Sequence, residues 1–114
     1  MLPDLSYNVF GQVEDPDVVY YRQMVNGMRG ALEHKRRTLV REGASLEEVD
    51  WQLSALDDLH TNLYHVDTSQ EAREEVRKLV RMAIDDKTKY PHRAAGCDAE
   101  IRILEEAERR MHEG

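Results

Sequence analysis

The stretch from Pro16 to Glu42 constrains this chain more than any other, because it reads as one uninterrupted helix. Asp15 offers an N-cap acceptor, Pro16 stands at the first helical position, and Asp17 puts negative charge at the positive end of the dipole. Gly43 is the stop, since glycine tolerates the left-handed conformation that follows a helix end. Between these signals Val18, Tyr21, Val25, Met28, Leu32, Lys35 and Leu39 recur at steps of three and four. A second row, Tyr20, Met24, Gly27 and Ala31, runs beside the first. An apolar side this wide suits a helix with two neighbours.

The remainder supplies three shorter helices. Ser45 and Glu48 form a capping box for a second helix over about 46–66. Its stripe is Leu46, Val49, Leu53, Leu56, His60 and Leu63, widened by Leu59 and Val66. Asp67-Thr68-Ser69 breaks the run, and Thr68 with Glu71 opens a third helix over 69–88. There Ala72, Val76, Leu79, Val80 and Ala83 point inward. Pro91 stops that helix, because the residue before a proline is pushed out of the helical region, and can itself begin the fourth. Ala94, Cys97, Ile101, Leu104 and Met111 keep the rhythm to about 112, with a later start at Asp98 as the competing boundary.

Helices joined by such short links predict an all-α fold, an antiparallel up-and-down four-helix bundle over residues 15–114. Residues 1–14 hold Leu2, Leu5, Tyr7, Val9, Phe10 and Val13 without a helical period, and read as an extended N-terminal arm. Its apolar content predicts that the arm lies on the bundle or on a partner.

Composition narrows the function. Few of the 114 residues are aromatic, so the core must be aliphatic and Met-rich. A lone Cys97 forms no internal disulfide, which with the absence of a signal-like N-terminus predicts a cytoplasmic setting. No apolar run reaches the roughly 20 residues a membrane span needs. The net charge of −7 argues against anionic membranes and nucleic acid. The turn Leu39–Val49 has the outline of a helix-turn-helix, but the helix after it offers Glu47, Glu48 and Asp50 where phosphates would lie.

Catalytic patterns are also weak. Asp57 with His60, and Glu105, Glu108 and His112, lack the Glu-x-x-His pairing of di-metal bundles. Glu71, Glu74 and Glu75 could hold Mg²⁺ in a nucleotide hydrolase. A Glu-x-x-Asp on the next helix would be expected to complete such a site, yet Glu47 to Asp50 precedes them. No cofactor is implied.

Two surfaces remain. An antiparallel bundle gathers residues 30–55 and 77–102 at one end, where eleven Lys and Arg face nine acids and leave the other end at −9. Lys35, Arg36, Arg37, Arg77, Arg81 and Arg93 there could grip a phosphorylated small molecule or nucleotide. The other surface is apolar. Trp51 lies about 200° round its helix from Val49, and Ile103 sits off the fourth helix's stripe. With Tyr7 and Phe10 of the arm and the free face of the first helix, they are the expected contact surface for a protein partner or a second copy, tryptophan being a favoured anchor. The sequence reading is a non-catalytic interaction or assembly module, with anion binding as its alternative.

Overall fold

The computed structural model describes residues 15–113. Expectations for the arm of residues 1–14, with Tyr7 and Phe10, lie outside the described residues. The described chain forms helices α1 (Pro16–Glu42), α2 (Glu47–Leu63), α3 (Ser69–Lys89) and α4 (Ala94–Glu113), and a 3-10 turn at Pro91–Arg93 leads into α4. Successive helices reverse direction and pack as an antiparallel bundle.

The helix ends follow their local chemistry. One Asp15 carboxylate oxygen accepts from the Asp17 N–H at 2.9 Å, and the other accepts from the Ser69 N–H at 3.0 Å. A single side chain therefore caps α1 and ties the start of α3 beside it. Thr68 caps α3 through the Glu71 N–H at 3.1 Å. Gly43 adopts φ 69°, the left-handed region, and the Ala44 N–H reaches back to the Leu39 carbonyl at 3.0 Å.

Two boundaries move. Leu46 takes the cap position of α2 with near-helical backbone, so Ser45 accepts from the Glu47 N–H at 3.3 Å and does not close the expected box with Glu48. At its far end α2 stops at Leu63, before the expected 66. The Tyr64 and His65 amides turn to the carbonyls of Thr61 and Asn62, three residues back, which tightens the last turn. Arg22 of α1 takes over the loose carbonyls, with its Nε 2.9 Å from the Leu63 oxygen.

The core centres on α2, which lies against all three other helices. Its Leu56, Leu59 and Leu63 are sealed, and they meet Val25 of α1, Val76 of α3 and Leu104 of α4. α3 and α4 are the most extensively packed pair, whereas α1 packs chiefly along α2 and only slightly on α3. At its N-terminal half Tyr21 links α1 to α4: its hydroxyl donates to the Met111 carbonyl at 3.1 Å. Of the second apolar row of α1, Met24 packs on the edge of the core, while among the described residues Tyr20, Gly27 and Ala31 stay exposed. Among the described residues no helix is long and apolar enough to cross a membrane.

Candidate interaction surface

The two flanks of α1 differ in what they touch. On one flank Arg22, Arg29 and Arg36 stand seven residues apart, a spacing that returns each to within about 20° of the last. All three reach α2. Arg22 holds the Leu63 carbonyl, Arg29 Nε donates to Asp57 at 2.7 Å, and Arg36 Nε donates to Asp50 at 2.7 Å. Asp50 and Asp57 are themselves seven apart, so the two helices present matching ladders. The signal is present in the sequence and only needs the two spacings to be laid side by side. Arg29 also approaches His60 Nδ1 at 3.3 Å. Since guanidinium only donates, that nitrogen accepts and His60 is neutral. Burial lowers its pKa below the ordinary 6.5, the Arg29 charge lowers it further, and Asp57 opposes both.

On the other flank stand Tyr20, Met24, Gly27 and Ala31. Tyr20 is 47% exposed, Gly27 and Ala31 are exposed, and Met24 is half-buried against the core edge. A Cβ placed on Gly27, or on Gly30 beside it, would meet nothing within 4 Å. The row continues past Ala31 to Lys35, Thr38 and Arg41, and the Arg41 guanidinium donates to the Thr38 hydroxyl at 3.3 Å.

Trp51, expected as a partner anchor, is half-buried and lies on α4. A Cβ on Gly96 would come within 2.2 Å of the indole, so only glycine at that position lets the ring lie there. Arg93 covers the ring at 5.8 Å from its centroid. Trp51, Gly96, Glu48 and Arg102 line an open cavity of about 410 Å³, across which Arg102 and Glu48 pair at 3.4 Å. Ile103 is half-buried and packs on the core.

The six cations of the anion-binding alternative line neither this cavity nor the smaller one described below. Arg36 is held by Asp50, Arg77 by Glu108 at 2.9 Å, and Arg93 stacks between Trp51 and Tyr90. Lys35, Arg37 and Arg81 are exposed. Nearby bases are likewise occupied, Lys87 by Asp98 at 2.7 Å and Lys89 by Asp85 at 3.0 Å.

A cavity of about 110 Å³ between α2, α3 and α4 brings Asp58, Asp86 and Glu100 together. Burial raises the Glu100 carboxyl above its ordinary 4.5, and Asp58 and Asp86 add to the effect. Among the described residues no group of three His, Cys, Asp or Glu is arranged to hold a metal ion. Cys97 is sealed, and burial with Glu100 pushes its thiol above the ordinary value, which makes it a poor nucleophile.

No family model, curated protein or solved structure matches this chain.

Proposed function

We propose that this chain is a non-catalytic protein–protein interaction module, an adaptor or assembly unit that docks through the outer flank of α1. The observation that carries this reading is the combination there of exposed Tyr20 and half-buried Met24 with helix-interior Gly27, around which the described residues leave open space. Glycine costs a helix interior about 1 kcal/mol relative to alanine. Gly43 and Gly96 serve geometry, at the turn and beneath Trp51, whereas Gly27, like Gly30 on the same helix, has open space around it. Among the described residues nothing fills the space at Gly27, and the absence of a side chain there would let another backbone come close. Tyr and Met beside it are side chains enriched at interfaces.

The test is hydroxyl-radical footprinting of the intact chain in buffer and in an extract of the cells that express it. Tyr20 and Met24 should lose reactivity in the extract, while exposed Met82 on α3 should keep its own. Equal oxidation of all three in both media removes the proposal.

A further inference from the structure

We propose that the occupant of this flank is a second copy of the chain, with the two α1 helices antiparallel and crossing at Gly27 and Ala31. The inference rests on the interaction reading above and names its partner.

The ends of the flank carry charges of opposite sign. Asp17 lies at the N-terminal end, and Lys35 and Arg41 lie toward the C-terminal end, where their two charges outweigh that of Glu42 on the same flank. Among the described residues none of the three side chains has an ion-pair partner, in contrast to Arg29 and Arg36 on the inner flank. α1 spans Pro16–Glu42, so its midpoint is residue 29. Turning a second α1 end for end about that midpoint sets Gly27 opposite Ala31, Tyr20 opposite Thr38, Met24 opposite His34 and Asp17 opposite Arg41. Every pair occurs twice across the two-fold axis. A parallel pair in register would set Asp17 on Asp17, Lys35 on Lys35 and Arg41 on Arg41. It would also align the two helix dipoles unfavourably. Charge and dipole both select the antiparallel order, and the smallest side chains fall where the backbones must approach most closely.

The contact is one helix face about 40 Å long at 1.5 Å per residue, which places it among small, reversible interfaces. The association should depend on concentration, with a Kd on the order of micromolar.

Cysteine pairing tests the register in a Cys97→Ala background. An equimolar mixture of Tyr20→Cys and Thr38→Cys should oxidise mainly to the mixed disulfide. Thr38→Cys should give little homodimer, because antiparallel helices hold its two copies about 27 Å apart along the axis, beyond the roughly 7 Å a disulfide spans. Arg41→Asp should weaken association about tenfold, and adding Asp17→Arg should bring it back to within about threefold. A dominant Thr38→Cys homodimer would overturn the antiparallel order while leaving α1 as the contact. Sedimentation as a monomer up to about 1 mM, with mixed disulfides no faster than those of a Met82→Cys control, would overturn the second copy. The extract footprint then still decides the broader reading, so the two failures are separable.

Discussion

The two flanks of α1 belong to one helix and carry equally regular spacings, yet they have opposite fates. The inner flank is bound to α2 at Arg22, Arg29 and Arg36, so its polar groups are satisfied inside the chain. The outer flank ends in unpaired charges and has Gly27 at its middle, with open space around it. Periodicity alone says that a flank repeats. Whether it is used inside the molecule depends on what the neighbouring helix offers at the same spacing. α2 offers Asp50 and Asp57 on one side, whereas among the described residues Tyr20, Gly27 and Ala31 on the other stay exposed.

The contrast can be attacked along the helix. Met28 is 5% exposed and Met24, four residues earlier, is half-buried on the outer row. Met28→Ala should cost about 3 kcal/mol in urea unfolding, because it leaves a cavity. Met24→Ala should cost well under about 1 kcal/mol, since solvent already reaches the site. Equal losses would mean that both rows are core. Next in size is the ladder: Arg29→Met should cost about 1 kcal/mol by stranding Asp57 and removing the donor to His60. Lys35→Met, on the free flank, should leave the midpoint where it is. Gly27→Ala should move the other way, raising stability by about 0.5–1 kcal/mol in dilute protein, while weakening association if that glycine serves a contact. A destabilised Gly27→Ala monomer would show a close neighbour within the chain.

The smallest effect is a pH dependence. His60 binds its proton less readily folded than unfolded, so the unfolded chain takes up the proton first as pH falls below 6.5. Stability should then fall from pH 6.5 toward the lower folded value, and His60→Gln should flatten that slope relative to wild type. An unchanged slope would show that burial and the Arg29 charge do not together hold the ring neutral. On the outer flank His34 is exposed, and His34→Gln serves as the matched control.

Much of the fold was legible because its signals are local. Asp15 and Gly43 bound α1 as their backbone chemistry requires, and Thr68 caps α3 through its own next turn. The end of α2 was not legible, since the residue that ends it is Arg22, forty-one positions away. The interaction surface was half visible. The row Tyr20, Met24, Gly27 and Ala31 stands plainly in the sequence, and the free face of this helix was expected as part of a contact surface, but how much of the row the core would take was not visible. The setting of Trp51 was not legible either: its angle on α2 points away from Val49, and the missing side chain of Gly96 is what lets the ring lie against α4.

The sequence by itself determined four amphipathic helices, their stops and the alternating charge of their faces, because capping, proline geometry and apolar spacing act within a turn or two. The tertiary structure decided which faces meet. That choice follows from the position of α2 against all three other helices and the registry of arginines on α1 with aspartates on α2. These are relations between segments that no single segment encodes, and they leave the outer flank of α1 open.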